Sequence, residues 1–351
     1  MAQMTRWSVA TRVDAVAGAV WDGFAPAVFQ SPAWTAALAA SGLARDLRLL
    51  TLRDHDGAVA ALLPLAIVRR RGARVLEWAG AAVTDRCVPL VDPALAADPR
   101  FWAEARQEIM RQPADIVELA QMPAESPAVA LLDGLAPMPP VDCPTIDCRM
   151  TPEAFLAGRG ANHRAKVQRQ GRRLAKLGAV AFRALDEPGE RLALAEFILA
   201  RKRATHRIAD EVAAFVRATA SIPSVAYHAL TAGGELVAAH VGMTEGDRAL
   251  YWLPAYDPGF ASYAPGHLLV WRLWHAARDA GAVELDLLRG SESYKDAWAT
   301  GRRRLLGGFA PLTVRGRAWL LARRVARGLR SADPAGERQP QAPSGISAPD
   351  R

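Results

Sequence analysis

Two kinds of hydrophobic periodicity alternate along this chain, and the order in which they alternate occurs twice. In the first half, residues 47–54 (LRLLTLRD) and 58–68 (AVAALLPLAIV) are apolar runs on either side of His55, Asp56 and Gly57, which predicts a hairpin closed by a glycine-bearing turn. Residues 74–80 (RVLEWAG) predict a third strand. A helix is predicted around 32–40 and another over 99–111, and the latter leads into a strand-like run at 115–123 that ends at Pro123. The second half repeats this order. Residues 225–231 and 235–244 predict strands joined across Gly233 and Gly234, and the turn at Gly246 and Asp247 delivers 248–257 as the next strand. Residues 266–280 predict a helix whose Arg272, His275, Arg278 and Asp279 recur at three- and four-residue spacing, leaving the opposite side to pack on a sheet, and 282–290 (AVELDLLRG) predicts the strand that follows.

Laid side by side, 101–123 and 269–290 read as an internal duplication of a mixed-sheet α/β unit. The joint is expected within 137–151 (PMPPVDCPTIDCRMT), where prolines and short polar residues interrupt both periodicities. Beyond Ser331 the chain is rich in Pro, Ala, Gly and Ser, can bury little, and is expected to be disordered. Residues 162–176 place Arg169, Arg172, Arg173 and Lys176 along one helical side, with His163, Arg164 and Lys166 at its start.

Composition narrows the class. With 351 residues and 51% hydrophobic content the chain is long enough for two globular domains. It offers no stretch of about 18 apolar residues for a membrane span. The first residues lack the basic, apolar and small-residue segments of a secretory signal, so a cytoplasmic location is expected. Cys87, Cys143 and Cys148 form no CxxC pair and no even-numbered framework, which fits a reducing compartment and gives no support to a metal. The formal net charge is +8, concentrated in 159–176 and 315–330, and reads either as a solvated basic face or, for part of the first cluster, as a phosphate-facing one. Lysine occurs only at positions 166, 176, 202 and 295.

The clearest chemical signal is 251–266 (YWLPAYDPGFASYAPG), where a Pro-interrupted, aromatic-rich strand end crosses a loop into a helix through Pro265 and Gly266. Exposed N–H groups and the positive end of the helix dipole at such a start seat a diphosphate, although Pro-Gly before a helix also marks plain turns. The chain has no GxxxxGK[ST], HExxH or GxSxG, and Gly158-Arg159-Gly160 lacks the preceding strand of a dinucleotide fingerprint.

In this order, the stretches NHRAKVQRQGRRLAKLG, YDPGFASYAPGHLL and GAVELDLLRGSESYKDAW resemble the CelD/BcsL-like branch of the GNAT superfamily, relatives of the FemAB peptidoglycan aminoacyltransferases; SPAWTAAL and AALLPLAIVRR in the first half are similar to that family as well. The resemblance spans residues 30–312. It implies tandem GNAT-like (acyl-CoA N-acyltransferase) domains, each a mixed, mostly antiparallel sheet flanked by helices: a degenerate one at 1–145 and an acyltransferase at 146–330. It further implies that acetyl-CoA or another acyl-CoA binds where 248–257 splays from 282–290, with Trp252, Leu253, Pro265, Gly266, His267 and Leu268 on the carrier. Of the usual spaced glycines of the GNAT phosphate loop, only Gly266 is present.

Acyl transfer needs a group to take the acceptor's proton and one to return a proton to the leaving thiolate. The candidate bases are Glu292, Asp257 and His240, and the candidate acids are Tyr294 and Tyr256; Tyr256, Arg289, Lys295, Lys166 and His163 are candidate acceptor contacts. Each has a structural alternative: a turn for Asp257, a helix cap for Glu292, a hydrogen-bonded core histidine for His240 and pocket wall for Trp252. The expected activity is acyl transfer to an amine or hydroxyl of a small or glycan-linked acceptor, in exopolysaccharide, cellulose or cell-envelope synthesis. The alternatives are aminoacyl transfer from tRNA to a cell-wall precursor and an inactive scaffold. No DNA partner and no metal are expected.

Overall fold

The computed structural model describes residues 6–331 except 17, 25, 26 and 291; the side chains of 6, 19, 22, 161–163 and 325–331 also lie outside the described residues, as does the tail beyond Ser331 with its expected disorder. In chain order the strands of the first half are β1 (Arg6–Ala10), β2 (Asp46–Arg53), β3 (Val59–Arg70), β4 (Ala73–Trp78), β5 (Leu90–Val91), β6 (Ile116–Pro123) and β7 (Ala136–Pro137). Then follow β8 (Val141–Asp147), β9 (Val180–Leu185), β10 (Val225–Ala232), β11 (Glu235–Glu245), β12 (Arg248–Tyr256), β13 (Glu284–Asp286) and β14 (Gly301–Pro311). No helix among the described residues is long and apolar enough to cross a membrane.

The chain divides into two compact units. One comprises the described residues up to Val141 together with those from Arg304 onward; the other is Asp142–Arg303. In the first, β1 to β4 are successive antiparallel neighbours, β4 and β6 are parallel, and β14 lies antiparallel on β6. In the second, β9 to β12 are successive antiparallel neighbours, β12 and β13 are parallel, and β8 lies antiparallel on β13. Both units therefore have one strand order. A parallel pair requires a crossover, supplied by helix Pro99–Met110 in the first unit and helix Pro265–Asp279 in the second. The duplicated, mostly antiparallel α/β architecture read from the sequence is the one observed.

The division within the chain differs from the expectation. Residues from Arg304 onward, assigned from sequence to a domain at 146–330, return to the first unit, whose last strand is β14. The Pro-rich 137–151, expected as a joint, contains β8, which pairs with β13 in the second unit. Its Pro144 disguised it, because proline lowers strand propensity; here the Pro144 carbonyl accepts a hydrogen bond from Leu287 N–H at 2.9 Å, so the residue serves the ladder through its oxygen. The strand expected at 282–290 is cut to Glu284–Asp286, and helices Pro188–Arg203 and Asp210–Ala218 were not foreseen.

Local chemistry explains the boundaries. Ser31 Oγ accepts the Trp34 N–H at 3.1 Å with Pro32 opening the helix, and Asp98 Oδ1 accepts the Arg100 N–H at 2.9 Å ahead of the crossover helix of the first unit. The predicted hairpin turn closes on Gly57, whose φ of 82° suits glycine, while Asp54 Oδ1 accepts the N–H groups of Asp56 and Ala58. The helix Val314–Ser331 lays Trp319 and Leu320 on Ala73, Val75 and Ile116, so the apolar side of this basic segment packs on the first unit.

The core of the second unit gathers Leu230, Val237, Leu269 and Leu285 around a stack of rings. Phe155 lies 4.7 Å from Trp274 and 5.9 Å from Trp298, with planes within 18° and 11°. Truncating the ring at the centre of this stack leaves a cavity that its rigid neighbours cannot fill. Phe155→Ala is therefore expected to lower stability by about 3–5 kcal/mol, read by urea denaturation followed through tryptophan fluorescence.

Candidate functional site

The site begins where two parallel strands part. β12 and β13 pair at three positions, Arg248 with Glu284, Ala249 with Leu285 and Leu250 with Asp286. Beyond Leu250, β12 stays hydrogen-bonded to β11 as far as Tyr256. The other chain turns away, with Leu287 N–H on the Pro144 carbonyl and Leu288 N–H on Asp286 Oδ1 at 2.8 Å. Each strand keeps its backbone partners while leaving the other, so the gap strands no buried amide.

Helix Pro265–Asp279 starts at this gap. Its N-cap Ala264 has φ 49° and makes no side-chain cap. Pro265 has no N–H, and the N–H groups of His267 and Leu268 both return to the Ala264 carbonyl, at 3.0 and 3.3 Å. Gly266 therefore supplies the donor left over in the first turn, and a Cβ built on it would meet nothing within 4 Å. The sequence pointed to several free donors here; the geometry offers one, with the helix dipole behind it.

Beside this helix start lies a cavity of about 510 Å³, a size suited to a small-molecule ligand. Six segments form it: Ala264–His267 with Leu269, the end of β12, Pro258 and Ala261 on the turn that follows it, the end of helix Pro188–Arg203 with the following turn, Lys166 on helix Ala161–Ala175, and Glu292 with Tyr294. Of the expected carrier contacts, Pro265, Gly266 and His267 line it. Trp252 and Leu253 do not: Trp252 is buried edge-on to Phe215 at 6.3 Å, and Leu253 is buried. Leu268 points into the core with Leu273 and Trp274. Of the expected acceptor contacts, Tyr256 and Lys166 line the cavity, Lys166 with Nζ 3.4 Å from His267 Nε2. Arg289 contributes its carbonyl, which accepts from Lys295 Nζ at 2.9 Å; the side chain of His163 lies outside the described residues.

Glu292 and Tyr294 are both in the lining. Lys295 is fully buried behind them, and its Nζ stands 3.3 Å from Glu292 Oε2. The Tyr294 hydroxyl lies 3.5 Å from that of Tyr251, and burial holds both phenols well above the usual tyrosine range, so they keep their protons. Asp257 is committed elsewhere: Oδ1 accepts the Gly259 N–H at 2.8 Å and Oδ2 pairs with Arg201. These two bonds, the backbone one first, hold its carboxyl below the usual range, and the geometry favours its turn-capping alternative over the base. His240 sits outside the lining, stacked on Tyr251 at 4.9 Å with Nδ1 3.3 Å from that of His228. Burial, then the neighbouring His228, draw its pKa well down, so it stays neutral and fits the core reading.

The sequence reading missed Arg201, Lys202 and His206, all in the lining. Arg201 and Lys202 end a helix whose apolar pattern is weak and His206 lies in the turn after it, and the one signal available was the rarity of lysine: Lys166 and Lys202 line the cavity and Lys295 supports Glu292. Burial draws the Lys202 amine down to about 8. The exposed cations Arg169 and Arg172 run along helix Ala161–Ala175, with Lys176 at its C-cap, and the helix packs through Val167 and Leu174. Metal-ligating side chains within reach of one another occur, among the described residues, at Asp54, His55 and Asp56 on the hairpin turn of the first unit.

Residues 161–296 match the family model of the acetyltransferase (GNAT) domain. The second unit carries a GNAT-type acyltransferase domain. No curated protein sequence matches the chain. Among solved structures, FemX superposes with a TM-score of 0.57 at 12% identity, covering 82% of this chain and 96% of its own. L-PGS from Bacillus licheniformis superposes with a TM-score of 0.53 at 14% identity, covering 82% of this chain and 91% of its own. At these identities the likeness is one of fold.

In the acyltransferase domain, Gly290 has φ 143°, and a Cβ on it would stand 2.1 Å from Glu292 Oε2 and 2.6 Å from Lys295 Nζ. Gly290→Ala is expected to separate that pair and to cost about 1–3 kcal/mol, measured by chemical denaturation.

Proposed function

We propose that the acyltransferase domain moves an acetyl or other acyl group from acyl-CoA to an amine or hydroxyl of a small or glycan-linked acceptor. The observation that carries this reading is the open helix start at Gly266 facing a cavity where β12 and β13 have parted. In this reading the carrier's diphosphate rests on the Gly266 N–H and the helix dipole, with Lys166 and His267 as flanking polar groups. The thioester reaches toward Tyr251, Tyr294 and Glu292. The acceptor's nitrogen or oxygen attacks the carbonyl carbon, the C–S bond breaks, and the departing thiolate takes a proton; Tyr294, kept protonated by burial, is placed to give it. Lys295 holds the Glu292 carboxylate in place beside it. The CelD/BcsL-like motif around Tyr294, Lys295 and Trp298 supports a role in exopolysaccharide, cellulose or envelope synthesis, carried out in the cytoplasm.

A second reading, aminoacyl transfer from tRNA, draws support from the exposed cations of helix Ala161–Ala175, which spaced phosphates would match.

Calorimetry separates the two. Under the first reading acetyl-CoA binds saturably, and Gly266→Trp, which fills the open space at the helix start, weakens binding about ten-fold or more; absence of heat with any acyl-CoA rejects it. Under the second, tRNA binding falls steeply with added salt and is lost when Lys166, Arg169 and Arg172 are changed to Gln; salt-insensitive binding rejects it.

A further inference from the structure

We propose that Lys202 is the proton acceptor of this site, removing the proton from the attacking amine or hydroxyl of the acceptor. The inference rests on the acyl-transfer reading and adds to it a residue that the sequence motifs do not mark.

The argument starts from charge geometry. Glu292 supplies the one carboxylate lining the cavity among the described residues, and two lysines lie near it. Lys295 holds it, with Nζ 3.3 Å from Oε2 and a second bond of 2.9 Å to the Arg289 carbonyl, from a fully buried position. That ammonium has fixed acceptors and no path to solvent. Arg201, next in sequence to Lys202, is tied to Asp257. Lys202 lines the cavity with neither arrangement: among the described residues no hydrogen bond or ion pair closes on its amine. A cation in such a place, desolvated and beside another cation, is the one that releases its proton. The amine accordingly falls to about 8: burial, the largest effect, outweighs the opposing pull of Glu292, and Lys295 adds the smallest contribution.

Two of the lining phenols do not take this role. Tyr251, Tyr256 and Tyr294 line the cavity, and burial keeps Tyr251 and Tyr294 protonated. His206, Lys166 and His267 also line it, the last two in contact with each other. On the elements packed against the helix of Lys202, β10 and β11 bring His228 and His240, both depressed by burial and outside the lining. Helix Asp210–Ala218 brings Arg217, paired with Glu196, and Asp210, paired with Arg203.

Residue choice points the same way. The chain has forty-four Lys and Arg residues, of which four are Lys. Arginine would supply a permanent positive charge at position 202, whereas only lysine can be neutral in the working pH range and accept a proton. The step balances as follows. Neutral Lys202 takes H⁺ from the acceptor's N–H or O–H as its nitrogen or oxygen bonds to the carbonyl carbon. The C–S bond breaks with its electron pair on sulfur, Tyr294 gives its proton to the thiolate, and the proton held by Lys202 passes to solvent, from which Tyr294 is reprotonated.

Competitive labelling of the full chain with trace acetic anhydride, from about pH 6 to about pH 11, reads each lysine separately by mass spectrometry. With a lysine standard titrating at about 10.4 in the same tube, Lys202 is expected to reach half its limiting reactivity near pH 8. Titration together with the standard, or no labelling at any pH, overturns the proposal. Lys202→Met is expected to lower turnover of acetyl-CoA, assayed with host extract as acceptor source, by about 10²–10³-fold at unchanged acetyl-CoA affinity, and to remove the rise in rate toward pH 8. A Lys202→Arg variant with wild-type rate and pH profile would mean an anion contact instead, and overturns it as well. The donor assignment fails separately: it falls if the wild-type chain binds no acyl-CoA, whatever the labelling shows.

Discussion

The parting of β12 from β13 is the constraint on which the second unit's chemistry depends. Parallel strands separate only if each finds other partners for its backbone groups, because an unpaired buried amide costs as much as a lost hydrogen bond. Here β11 holds β12 to its end, while the Pro144 carbonyl and the Asp286 carboxylate receive the two N–H groups after β13. The gap is thus a stable feature of the sheet, and the helix start at Pro265 and Gly266 opens beside it.

Charge gives this gap its character. Lys166, Arg201 and Lys202 line the cavity with Glu292, and Lys295 lies buried behind it. Two of these cations are held by carboxylates, Arg201 by Asp257 and Lys295 by Glu292, which fixes their positions and damps their charge. The remaining positive character faces the space where an anionic carrier would lie. Above the same helix start, Lys166 meets His267, and Arg173 donates to the Ser262 carbonyl at 3.1 Å while standing over the Tyr263 ring, so the basic helix is anchored at the rim.

The first unit repeats the strand order and uses the equivalent region differently. β4 and β6 are parallel at Val75 with Ile116 and Leu76 with Val117, and the chain after β4 is then buried. Gln30 Nε2 donates to the Arg86 carbonyl at 2.7 Å and Trp34 Nε1 to Thr84 Oγ1 at 3.1 Å. These two polar side chains are satisfied within the unit itself. One architecture thereby serves as a closed core in one half and as a lined cavity in the other.

The sequence alone determined the parts whose cause is local. Turns at Gly57, Gly233 and Gly246 need positive φ, the apolar runs between such turns marked β2, β3, β10, β11 and β12, and the duplicated helix-then-strand passages announced two α/β units. It also marked the helix start at Gly266 and the Glu292–Lys295 segment, since both are contiguous. Only the tertiary structure decided what depends on residues far apart in the chain. The pairing of β8 with β13 and of β14 with β6 rests on long-range ladders, and Pro144 hides the first of these strands from any local rule. The choice among carboxylates was equally non-local: Asp257 is taken up by Arg201, fifty-six residues away, while Glu292 faces the cavity. Lys202 acquires its character only once folding has buried it, because desolvation is a property of a place, which no stretch of sequence encodes by itself.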